Sequence, residues 1–135
     1  MRAVLDTNVI VSAAMTANGN CARILRLMAE GVFDLFADER ILAEYEAVLR
    51  RPALRIAAED AAVFLEMIHS EARLVIPPPL AVELPDPRDL AFIEVAVAAD
   101  AALVTGNARH FPRHARAGIS VLSPREFIEA LRRVP

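Results

Sequence analysis

Five short apolar segments alternate with amphipathic stretches along this chain, and that alternation restricts the fold more than any other feature. The segments Ala3–Asp6, Phe33–Ala37, Arg73–Ile76, Ala102–Thr105 and Ile119–Leu122 have strand length and stop at turn or polar residues. Between them lie helical patterns with readable ends. Asn20 caps a helix reaching about Glu30, where Gly31 stops it, and Asp38 caps one that runs through Arg50 and ends at Pro52. Another spans about Glu59 to Ser70. A proline-rich loop leads to Asp86-Pro87, a strongly apolar helix runs from about Arg88 to Ala99, and Ser123-Pro124 opens a last one over Arg125–Arg133. Strands alternating with helices imply a parallel sheet covered on both faces. The expected fold is three-layer α/β/α, with a central parallel sheet of about four to five strands, in a single domain over residues 1–135.

The side-chain inventory removes several chemistries. All 15 basic residues other than histidine are arginine. The absence of lysine excludes a Walker-type phosphate loop and Schiff-base catalysis. Cys21 is the only cysteine, so no internal disulfide forms, and it reads as a small core residue. The apolar run Val9–Met15 is too short for a signal sequence and follows an acid, and Phe92–Thr105 is broken by Glu94 and Asp100. A soluble, cytoplasmic protein with no membrane contact is therefore expected. The net charge of −3 argues against a general nucleic-acid coat, yet allows a local basic rim.

The acids are placed suggestively. Asp6 falls at the carboxyl end of the first strand, where ligands collect in open α/β sheets, although an aspartate there also caps whatever helix follows. In Ile41–Leu49, Glu44 lies at the edge of the inward stripe of Ile41, Tyr45 and Val48, whereas Glu46 points to solvent. A carboxylate at such an edge needs a cation, a hydrogen-bond partner or a raised pKa, and a salt bridge to a neighbouring arginine is the commoner outcome for a single glutamate. Asp86-Pro87-Arg88-Asp89 makes a good helix start, with Asp86 as cap. Asp89, by contrast, shares the inward stripe of Phe92, Ile93 and Ala96, while Glu94 lies opposite and reads as structural. Asn107, in Thr105-Gly106-Asn107, offers a neutral oxygen or serves as a turn residue. Carboxylates converging on one sheet edge repel one another unless a divalent ion sits among them.

In their order and spacing, Leu5-Asp6-Thr7-Asn8-Val9, the acid in a mid-chain helix, Asp86-Pro87-Arg88-Asp89 with Phe92-Ile93-Glu94, Val104-Thr105-Gly106-Asn107, His110-Phe111-Pro112 and Ser123-Pro124-Arg125-Glu126-Phe127 resemble the PIN domain, and within it the toxin components of toxin–antitoxin pairs. The resemblance spans essentially the whole chain. It implies an Mg²⁺- or Mn²⁺-dependent single-strand ribonuclease of VapC type, neutralised by a small antitoxin. By position it makes Asp6, Glu44 and Asp89 the core acids and Asp86 an accessory ligand. Asn107 stands where many members carry a fourth aspartate, which removes one charge and weakens any second metal position.

The expected reaction is hydrolysis of an RNA phosphodiester, with the ion held by Asp6, Asp89 and Glu44. Thr7, Asn8 and Thr105 are candidates for orienting water or phosphate. Arg109, His110, Arg113, His114 and Arg116 follow Asn107 and either grip RNA phosphates or form a solvated loop. A phosphatase would want a second aspartate two residues after Asp6 and a lysine; Asn8 stands there and lysine is absent. The remaining rival is a non-catalytic PIN-like module that binds RNA or a partner, which Asn107 keeps open. The apolar surplus, 56% of residues, further suggests a homodimer.

Overall fold

The computed structural model describes residues 1–133; residues 134 and 135 of the expected domain lie outside the described residues. Five strands, β1 (Arg2–Leu5), β2 (Asp34–Ala37), β3 (Arg73–Leu74), β4 (Ala102–Val104) and β5 (Val121–Leu122), form one sheet in the order β3-β2-β1-β4-β5. Every pairing is parallel, with Ala3 opposite both Leu35 and Ala102. Six helices flank it: α1 (Thr7–Met15), α2 (Asn20–Ala29), α3 (Glu39–Leu49), α4 (Ala58–Glu71), α5 (Leu90–Ala99) and α6 (Pro124–Arg133). This is the three-layer α/β/α arrangement expected from the alternation.

The sheet is buried because its central strands carry no polar side chain inward of their ends. Ala3, Val4 and Leu5 of β1 and Leu103 and Val104 of β4 are fully enclosed. α5 lies across β1, β2 and β4, and seven of its ten residues are buried, Ala91 to Ala96 with Glu94 among them, and Ala99. The topology matters for function. The chain leaves β1 toward β2 and β3, then returns to the other side for β4 and β5. The carboxyl ends of β1 and β4 are therefore the point at which the winding reverses, where a crevice opens.

Local differences from the sequence reading have simple causes. Gly19, not Asn20, is the cap of α2, and Asn20 is its first residue. β3 stops at Leu74, since three prolines at 77–79 provide no N–H groups for a ladder. β5 begins at Val121, because Ile119 N–H closes a turn onto Arg116 O. Ahead of α5, Pro87–Asp89 forms a 3-10 turn rather than the first turn of the α-helix.

Candidate active site

Asp6 ends β1 and starts α1, so both readings of it hold at once. Its Oδ1 accepts from Thr7 N at 2.7 Å as the helix cap, and its Oδ2 accepts from Thr105 Oγ1 at 2.7 Å. Thr105 follows β4 directly, and Asp6 N–H donates to Val104 O. The two strand ends are thus stitched together beneath the carboxylate. Asn8 continues the stitching: its Oδ1 accepts from Gly106 N at 3.0 Å, and its Nδ2 reaches Thr105 Oγ1 at 3.5 Å.

α3 brings Glu44 to the same place. Buried Tyr45 donates its hydroxyl to Leu5 O, one residue before Asp6, and this fixes α3 against the end of β1. Burial, and then the neighbouring acids, hold the Tyr45 phenol well above its ordinary range, so it remains a donor. With that anchor, the half-buried Glu44 accepts a hydrogen bond from the Thr7 hydroxyl.

Asp89 arrives on the 3-10 turn ahead of α5 and is 8% exposed. Its Oδ2 is buried with no hydrogen-bond partner; His110 Nδ1 stands 3.6 Å away, too far for one. Burial, then the charges of Asp6 and Asp86, raise its carboxyl to about 6, with His110 opposing. Asp6 is also shifted up by burial, against the two hydrogen bonds that favour its ionised form. Asp86 behaves differently. Its carboxylate is gripped by Arg88 at 2.9–3.2 Å and held below the ordinary aspartate range, chiefly by that contact.

One cleft of about 620 Å³ is lined by Asp6, Glu44, Asp86 and Asp89 together with Thr7, Asn8 and His110. Asn107 is not part of its lining. The Asn107 amide Nδ2 lies 3.0 Å from His110 Nε2, and the ring's Nδ1 faces Asp89. Buried Phe111, edge-on to Phe92 of α5, anchors this histidine's loop. Arg109 and Arg113 are exposed outside the cleft, His114 is likewise exposed, and Arg116 is folded back to donate to Phe111 O at 2.7 Å. The expected basic grip from that loop therefore reduces to His110 in the cleft itself.

The sequence reading missed Arg51, which lines the cleft and makes no ion pair among the described residues. Helical spacing does not mark it: Glu44 and Val48 share one stripe of α3, but the helix ends at Leu49 and Arg51 lies beyond it in extended backbone. Asn8, Val11, Ser12 and Met15 form the matching stripe on α1.

The donors suit a hard divalent cation: carboxylate oxygens dominate, no thiolate is present, and Asp89 Oδ2 is unspent. The side chains do not form a finished cage, because no three His, Cys, Asp or Glu groups among the described residues are arranged to hold an ion together. Hydroxyl donors from Thr7 and Thr105 instead occupy one oxygen each of Glu44 and Asp6.

A family model described as PIN domain matches residues 2–109. Solved structures with the same fold include a chain of VapBC2 from Rickettsia felis, in a crystal structure with a DNA fragment from their promoter. It is 18% identical, with a TM-score of 0.63, over 91% of this chain and 98% of that one. PAE2754 from Pyrobaculum aerophilum is 17% identical, with a TM-score of 0.64, over 98% and 90% of the two chains. No curated protein matches the chain in sequence.

Proposed function

The chain belongs to the PIN-domain family, and on that premise we propose that it is a metal-dependent endoribonuclease, the toxin of a type II toxin–antitoxin pair. The observation that carries this reading is the cleft at the strand ends, where Asp6, Glu44, Asp86 and Asp89 meet without a guanidinium on any of them but Asp86. The fold shared with a chain of VapBC2 supports an antitoxin as partner.

Asp6 and Asp89 are the residues that would hold Mg²⁺ or Mn²⁺, with Glu44 joining directly or through water and Asp86 as accessory. The ion would supply Lewis-acid polarisation of a phosphoryl oxygen and a more acidic water. The rest falls to the chain. Thr7 N–H and the Thr105 hydroxyl fix the orientation of Asp6, so that its remaining lone pairs face the cleft. His110 stands beside Asp89 and can give a hydrogen bond to a phosphate oxygen entering there. Arg51 and Arg88 on the lip supply charge for the flanking phosphates. Asn107, Arg109 and Arg113 would act farther along the RNA, outside the cleft.

The test is cleavage of single-stranded and structured RNA in Mn²⁺ by the wild type and by Asp6→Asn. Cleavage by the wild type alone supports the nuclease; equal cleavage by both assigns the activity elsewhere. The absence of a finished three-acid cage favours one second reading, a PIN-like module that binds RNA or a partner without turnover. Saturable RNA binding with no cleavage in either metal would select it. Exposed Leu74 and Ile76 support self-association as well, and light scattering that gives a monomer mass at micromolar concentration would remove the homodimer.

A further inference from the structure

A second set of buried charges lies outside the cleft. Glu94, in the middle of α5 and 3% exposed, accepts from Arg40 Nη1 at 2.8 Å through Oε1 and from Leu80 N–H at 2.8 Å through Oε2. Arg40 also donates to Asp38 Oδ2 through Nε at 2.8 Å, and Asp38 Oδ1 caps α3 by accepting from Ile41 N at 3.0 Å. One cluster thereby ties three pieces of chain: the start of α3, the middle of α5 and the proline-rich strap of residues 75–86.

Each of these pieces carries a carboxylate of the cleft. α3 holds Glu44, α5 follows Asp89, and the strap ends at Asp86. The strap has no ladder or helix of its own past Val75 N–H. Its first half borders a cavity of about 540 Å³ instead of packing on α3, with Ile76, Pro77 and Pro79 on one side and Arg40 and Glu94 on the other. A chain bearing prolines at 77, 78, 79 and 85 has few conformers, so pinning Leu80 sets where the remainder goes. An ion pair with one partner buried and the other half exposed contributes little to stability compared with apolar side chains of the same size, and its well-attested value is to specify one arrangement.

We propose that Glu94 and Arg40 are positioning residues, which clamp the strap so that Asp86 and Asp89 face Asp6 and Glu44 across the cleft. This rests on the reading of the cleft as a cation site, and its test is built so that the two can fail separately. Amide exchange at Leu80 and along residues 75–88 is followed in the metal-free full-length protein, and Mn²⁺ affinity is measured by calorimetry, for the wild type, Glu94→Met and Glu94→Gln. Methionine keeps the volume and leaves Arg40 with Asp38; glutamine keeps an acceptor for Leu80 N–H. Should Glu94→Met not fold, Arg40→Met at a half-exposed position frees Glu94 from α3 while Leu80 N–H keeps its acceptor, and Mn²⁺ affinity then tests the tie to α3.

Glu94→Met is expected to keep its fold, to speed exchange at Leu80 and to weaken Mn²⁺ on the order of tenfold, the usual range for a group supporting a ligand. Glu94→Gln should recover most of both. A folded Glu94→Met with wild-type exchange at Leu80 overturns the clamp. Faster exchange with undiminished Mn²⁺ affinity overturns the positioning role. A wild type that takes up no Mn²⁺ overturns the cation site and with it that role, while the exchange data still decide the clamp.

Discussion

Asp38 and Glu94 are 6% and 3% exposed, and Asp6 and Asp89 are 5% and 8% exposed. The two pairs are equally removed from water, yet they are satisfied in opposite ways. Asp38 and Glu94 share the guanidinium of Arg40. Asp6 has only hydroxyl and amide donors, and Asp89 leaves an oxygen with no donor at all. Burial alone therefore does not explain the cleft. The protein contains an arginine solution to a buried carboxylate a short way along α3 and does not use it at the ends of β1 and β4. Charge left uncompensated there supports the proposal that the cleft takes its cation from outside.

The largest effect should come from neutralising the uncompensated pair. Asp6→Asn or Asp89→Asn should lower Mn²⁺-dependent RNA cleavage by about 10³-fold or more, read from single-turnover rates. The opposite substitution class separates the regions further. Glu94→Ala breaks a pair already satisfied, and chemical denaturation should show a loss on the order of 2–3 kcal/mol, below the cost for two wholly buried ions because Arg40 is half exposed. Asp89→Asn should move stability the other way in metal-free protein, a gain of roughly 1–2 kcal/mol at pH 7, since it deletes a carboxylate that the fold holds at about 6.

A pH series sharpens the same contrast. Asp89 titrates near 3.8 when unfolded and near 6 in the fold, so the folded state keeps the extra proton between those values. The contribution of Asp89 to metal-free stability should therefore be fully present below about pH 4 and be lost as pH climbs through 6, so the wild type should lose stability relative to Asp89→Asn over that interval. A wild type that holds or gains stability relative to Asp89→Asn over this interval would contradict the assignment of Asp89. The smallest effect belongs to the surface. Glu46→Ala, which cuts an exposed pair with Arg50, should change stability by less than about 0.5 kcal/mol.

How much of this was legible follows from the range of each interaction. The periodicity of short apolar runs and capped helices disclosed the layers and the parallel sheet, because burial of one face is written locally. Asp6, Glu44 and Asp89 were legible as inward or strand-end acids by the same local rules. Arg51 was not legible, because it lies past the end of α3 and its place at the cleft depends on how the chain turns ahead of Pro52. Glu94 and Arg40 were not linkable, since they stand 54 residues apart and meet only after α3 and α5 pack. The side-chain amide of Asn107 reads equally as ligand or turn former, and its engagement with His110 depends on where Phe111 anchors the loop.

The most direct measurement counts bound Mn²⁺ by electron paramagnetic resonance as the ion is titrated into metal-free protein at pH 7. Saturable uptake by the wild type and by Glu46→Ala, lost in Asp6→Asn and in Asp89→Asn, is the expected result. Wild-type protein that leaves all the manganese free, or that binds it no better than the two asparagine variants, would contradict a cation site at the ends of β1 and β4.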